Sequence, residues 1–304
     1  MTEGTAPQGR GIDLDELKRM VLLEKVVAFV GAGVSKPPGH DWAELVKTMA
    51  DNCGVRINGR PHPAVIDECI KKDELKCNAI LREELPRHHA TTRTLLGYIT
   101  RLPFKAILTT NFDPWLLQHS RFSEWKHCRP YPNLPLNEGL AQCIYYLHGF
   151  FDSESDTSSV RDIVLGEESF VRAYGGASLL PGLLMNVFTF ENVLFIGFGP
   201  TEPHVSQILN QAIETRRAIA ANGGAMPRRC LLRAQAPLAA DVPQLAGYAE
   251  ETAKINALEI AICTYEPLDK DSRGLEKVIS GWVDEGELKN RRAPFEPGYG
   301  MDAG

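Results

Sequence analysis

Three things are scarce in this sequence, and each absence excludes something. No apolar run approaches the roughly 18 residues needed to cross a bilayer. Met1 to Arg10 is polar and contains glycine and proline but no apolar leader core, so a cytoplasmic location is expected. Basic excess is missing too: 33 Lys and Arg face 39 Asp and Glu, a net charge of −6, which argues against direct nucleic-acid binding. The pairs Arg216/Arg217 and Arg228/Arg229 read as solvated helix or strand ends. Close cysteine pairs are also absent. The nearest two of the seven cysteines, Cys69 and Cys77, stand eight residues apart, so no C-x2-4-C zinc pair exists and no zinc is expected. Scattered thiols of this kind read as reduced and mostly buried.

What is present is a globular composition. The chain has 304 residues, 43% hydrophobic and 24% charged, enough for one large domain with a small insert. Asp13 to Leu23 reads as a helix with Leu14, Leu17 and Val21 on one face. Lys25–Val30 is an apolar run ending at Gly31, as a buried parallel strand would be. Trp42, Leu45, Val46 and Met49 then mark a helix, and Thr91–Arg101 another. Between them, residues 55–89 carry two polar helical stretches and read as an inserted helical module.

Further strands are predicted at Lys105–Leu108, Cys143–Leu147, Asp162–Leu165, Val193–Phe198, Arg229–Leu232 and Leu258–Cys263, with a helix over Val205–Ala220. Alternation of this kind predicts an α/β, Rossmann-like, mainly parallel sheet with helices on both faces. The domain is expected to span 1–289, with 290–304 as a flexible tail. Leu275, Val278, Ile279, Trp282 and Val283 form an apolar stripe that packs on its own domain or serves an interface.

Four strand ends carry polar or glycine motifs. Gly31-Ala32-Gly33-Val34-Ser35 follows the first strand and suits either a phosphate cradle or a tight turn without ligand. It lacks the third glycine of the dinucleotide fingerprint, a place held by Lys36. Thr109-Thr110-Asn111-Phe112-Asp113 puts polar groups where open α/β sheets bind ligands, although Asp113 can equally cap the helix near Pro114. His148, in Tyr146-Leu147-His148-Gly149, is a general base or a structural histidine. Phe195-Ile196-Gly197-Phe198-Gly199 is a second glycine turn, followed by Thr201, Glu202 and Pro203.

Together, in this order and spacing, these motifs resemble the sirtuin family, and within it the divergent bacterial sirtuin-like NADase branch. Ala261–Pro267 resembles the family's final strand and turn, so the resemblance runs from about residue 25 to 268. It implies that Gly31, Ala32, Gly33 and Ser35 contact the phosphates of NAD, and that Gly197 and Phe198 border a ribose. It further implies that Asn111 holds the nicotinamide ribose and the attacking water, that Asp113 faces the nicotinamide amide, and that His148 is the base.

Departures from the deacylase pattern matter as much. Between Gly149 and Gly197 there is no cysteine, so the zinc ribbon that helps frame the acyl-lysine cleft is missing. Gly39-His40-Asp41-Trp42 replaces the longer G-I-P-D-F-R stretch and lacks its arginine. The expectation is therefore an NAD glycohydrolase that acts as effector of an abortive-infection antiphage system. The alternatives are an NAD-dependent protein deacylase and an NAD-binding assembly subunit. With no sensor domain visible, regulation is expected from homo-oligomerisation or a partner, for which the resemblance points to a HerA-type ATPase.

Overall fold

The computed structural model describes residues 12–23, 25–35, 42–85, 90–118, 128–134, 140, 142–200, 202–236, 242–268 and 273–292. Seven strands form one sheet: β1 (Val26–Val30), β2 (Ala106–Thr109), β3 (Cys128–Pro130), β4 (Ile144–Tyr146), β5 (Asn192–Ile196), β6 (Arg229–Ala234) and β7 (Ala261–Tyr265). Their order is β3-β4-β2-β1-β5-β6-β7, and every pairing is parallel. β3, which the sequence reading did not predict, is a three-residue edge strand on β4. So short a run carries no periodicity to read.

All five β1 residues are buried, because β1 lies mid-sheet with a layer on each face. Val26, Ala28 and Val30 face one core, which α1 (Leu14–Leu23), α5 (Ala90–Ile99) and α11 (Arg273–Arg292) cover. Val27 and Phe29 face the other, under α8 (Leu180–Phe190) and α9 (Pro203–Ala221). This is the period-two alternation of a strand, which a uniformly apolar sequence conceals. The apolar stripe of α11 packs inward: Leu275, Ile279, Trp282 and Val283 are buried in the first core.

A third core joins α2 (Trp42–Cys53), α3 (His62–Lys72) and α4 (Glu74–Glu84) to Phe151, Val160, Ile163 and Leu165. Six of the cysteines are buried, three of them in this module, and all seven are free thiols. Burial pushes Cys69 up to about 12, which keeps the thiol protonated and unreactive.

Asp162–Leu165 is not a strand. Asp162 closes a 3₁₀ turn over Val160–Asp162, after which Ile163 and Leu165 fill the module core and Val164 fills the second sheet core. Its apolar residues therefore join two layers instead of entering a ladder. The last strand begins at Ala261, later than expected, because Leu258 and Ile260 are buried in the core ahead of it. Nor are the arginine pairs simple solvated ends. Arg216 and Arg229 are buried, whereas Arg217 and Arg228 reach out to Glu259 and Glu16. Alternate burial along α9 and β6 splits each pair.

Two helices complete the site: α6 (Trp115–Gln118), where a helix was expected near Pro114, and α7 (Glu167–Tyr174), which no motif announced. α10 (Val242–Ala257) lies along β7. Among the described residues, no helix is long and apolar enough to cross a membrane.

Candidate active site

From β1 the chain crosses to β2 on one side, and it later returns to β5 on the other. That reversal opens a crevice at the carboxyl ends of the central strands, where open α/β sheets bind ligands. The two turns flanking it interlock. Gly31 donates its N–H to the Ile196 carbonyl at 3.0 Å, and Gly33 donates to the Gly197 carbonyl at 2.8 Å. A Cβ on Gly31 would stand 2.6 Å from that Gly197 oxygen, and one on Gly33 2.7 Å from it. Gly197 itself has φ +59°, in the left-handed region that favours glycine. No larger residue fits this crossing.

The cleft above has a volume of about 700 Å³. Its walls include Ala32, Gly33, Ser35, Asn111, Asp113, His148, Gly197 and Phe198, so eight of the nine predicted site residues meet there. Gly31 does not line it, because its amide and close approach are committed to the β5 turn. Lys36, His40, Asp41 and Thr201 lie outside the described residues.

β2 delivers the amide and the carboxyl. Asn111 is buried, and its Nδ2 donates to Ser35 Oγ at 2.9 Å, linking the β2 end to the glycine loop. Its backbone N–H donates to Thr109 Oγ1 at 3.0 Å. Asp113 Oδ1 accepts the Trp115 N–H at 3.1 Å, the cap for α6, while the residue still lines the cleft. Burial pushes this carboxyl up to about 6, against the pull of the Trp115 amide and Ser35.

β4 delivers His148. The turn behind it needs Gly149, whose φ is +83° and whose Cβ would fall 2.2 Å from the Asp162 carbonyl oxygen. His148 Nε2 shares a hydrogen bond with the Tyr174 hydroxyl at 2.8 Å, and its carbonyl accepts the Val164 N–H at 2.7 Å. Burial first, then the nearby His204, depresses its pKa to about 3. The imidazole is therefore neutral throughout the physiological range.

Sequence reading missed the rings around this histidine. Phe170 and Tyr174, one turn apart on α7, both meet His148 edge-on. His204, at the start of α9, stacks on Tyr174 at 4.7 Å and on Phe170 at 5.0 Å. The available signals were the F-x-x-x-Y spacing and the position of His204 beside a glycine turn. Glu202 caps α9, accepting the N–H groups of His204 and Val205 at 3.2 and 2.9 Å.

The described lining also holds Glu44, Glu84 and Glu202 but no lysine or arginine. Phosphate recognition by these residues would fall to backbone N–H groups and hydroxyls. Among the described residues, no cluster of three or more His, Cys, Asp or Glu is arranged to hold a metal ion.

Residues 105–243 match the SIR2-like domain. This SIR2-like stretch contains Asn111, Asp113, His148, Gly197 and Phe198, while the glycine loop of β1 precedes it. A solved structure described as a Sir2 homolog–NAD complex aligns over 92% of this chain and 98% of that one, at 12% identity and a TM-score of 0.42. No curated protein matches the chain.

Proposed function

We propose that the protein binds NAD in this cleft and hydrolyses it to nicotinamide and ADP-ribose. The observation that carries the reading is the meeting of Asn111, Asp113 and His148 beside the interlocked glycine turns, partly within a SIR2-like stretch. Breaking the bond between nicotinamide and ribose passes through an oxocarbenium-like state, which a positioned nucleophile and polar groups near the ribose stabilise. Asn111, anchored on Ser35, holds the ribose and the attacking water. Asp113 faces the carboxamide of the leaving nicotinamide. His148 accepts a proton from a ribose hydroxyl or from the water. Its depressed pKa keeps it unprotonated but gives it little pull on a proton, so its geometry matters more than its basicity.

Water is the nucleophile in this reading because the stretch between Gly149 and Gly197 has no cysteines to build a zinc ribbon beside an acyl-lysine cleft. Chromatography of purified protein with NAD, with and without acetylated peptide, tests it. Equal yields of nicotinamide and ADP-ribose without peptide are expected. Nicotinamide release only with peptide, together with O-acyl-ADP-ribose, would identify a deacylase instead. The antiphage role, draining cellular NAD in an abortive infection, rests on the family resemblance of the motifs. Its check is NAD content and survival of phage-challenged cells carrying the wild-type or the His148→Ala protein.

A further inference from the structure

Tyr174 has no place in any strand-end motif, yet its phenol meets the one imidazole that the proposed reaction needs. The hydroxyl lies 2.8 Å from His148 Nε2. A neutral imidazole carries its proton on one nitrogen only, and a hydroxyl partner, donor and acceptor at once, accommodates either tautomer. Nδ1 of His148 makes no hydrogen bond to any described residue, and His148 lines the cleft. Tyr174 thus occupies one nitrogen and leaves the other for a ligand.

The phenol is held firmly in this place. Its ring stacks on His204 at 4.7 Å and 21°, and lies 6.1 Å from Phe170 at 18°. The start of its helix is tied to the helical module, where Glu168 donates its N–H to Asp67 Oδ2 at 2.9 Å and pairs with Lys71 at 2.6 Å. Burial, together with the Glu202 charge, raises the phenol's pKa, so it stays neutral. The described cleft wall includes His148, Phe170 and His204, the three rings against which Tyr174 lies.

We propose that Tyr174 is a positioning residue that accepts Nε2–H of His148 and thereby presents the Nδ1 lone pair to the cleft. Both the direction of this hydrogen bond and the identity of the proton donor rest on the NAD-hydrolysis reading, which needs a lone pair on the nitrogen that faces the cleft. In the step itself, a proton leaves the ribose hydroxyl or the water for Nδ1, and the electron pair of the broken O–H bond stays on oxygen. The resulting imidazolium carries N–H on both nitrogens, and its Nε2–H remains on the Tyr174 oxygen as a charge-assisted bond.

The test is a two-bond ¹⁵N–¹H correlation spectrum of the full chain labelled at histidine, with His148 assigned by its loss in His148→Gln. The expected wild-type spectrum shows the Nε2–H tautomer with bare Nδ1. Tyr174→Phe keeps the ring and removes the hydroxyl, and is expected to mix the tautomers. It should also lower kcat for NAD about tenfold, the effect of one lost hydrogen bond, with KM little changed. An Nδ1–H tautomer in the wild type overturns the proposal, as does a Tyr174→Phe protein with unchanged spectrum. If the wild type leaves NAD intact, the functional reading fails while the spectra still decide the positioning role.

Discussion

At the residue scale, the side chains that matter are buried but not apolar. Asn111 and His148 are only 6% and 7% exposed, yet both line the cleft. Asn111→Ala and His148→Ala are each expected to lower NAD turnover by about a hundredfold or more while circular dichroism remains native. Full activity in either would remove that residue from the mechanism. His148 also makes stability depend on pH. Its folded pKa, about 3, lies below its ordinary 6.5, so acid protonates the unfolded chain first. The contribution is fully present above about pH 6.5 and is lost as pH falls toward 3. Asp113 works in the opposite sense: its carboxyl is raised from 3.8 to about 6, so its share is present below 3.8 and lost as pH rises through 6. Denaturant midpoints at pH 7 and pH 5 should therefore show His148→Gln gaining on the wild type in acid, and Asp113→Asn losing ground. A pH-independent difference for either variant would contradict its shift.

At the element scale, the decisive feature is the crossing of the β1 and β5 turns. Gly197→Ala would place a methyl 2.7 Å from the Val34 backbone nitrogen at a φ of +59°. The expected loss is about 1–3 kcal/mol, measured by urea denaturation, with cleft binding weakened as the turns separate. An Ala variant as stable as the wild type would mean that the crossing yields easily. Helix α11 offers a second check. Because Ile279 is fully buried against the first core, Ile279→Ala should cost about 2–5 kcal/mol. A negligible cost would return its stripe to the list of docking surfaces. That stripe shows the limit of periodicity: helical spacing marks an apolar face, but only the position of α5 opposite it shows what covers that face.

At the scale of the whole molecule, the chain is expected to self-associate or to dock on a partner that controls turnover, and to contain no zinc. Light scattering combined with NAD kinetics checks the first, since a monomer of high constitutive activity would contradict it. Elemental analysis checks the second, and stoichiometric zinc would contradict it. The sequence alone determined the parallel α/β sheet, because short apolar strands alternating with amphipathic helices have few other ways to hide both sheet faces. It also placed Asn111, Asp113, His148 and Gly197 at strand ends, since His148 and Gly197 follow apolar runs directly and the other two stand just beyond Ala106–Leu108 and two threonines. Tertiary structure alone decided the rest. Strand order brought β1 beside β5 and let Gly33 meet Gly197 across more than half the chain. It split the arginine pairs into buried and exposed halves, and it turned residues 162–165 from an expected strand into a bridge between cores. It also set Tyr174 of α7 against His148. Local sequence encodes burial period and turn chemistry, but contacts between distant segments depend on strand order and helix packing, which no short window contains.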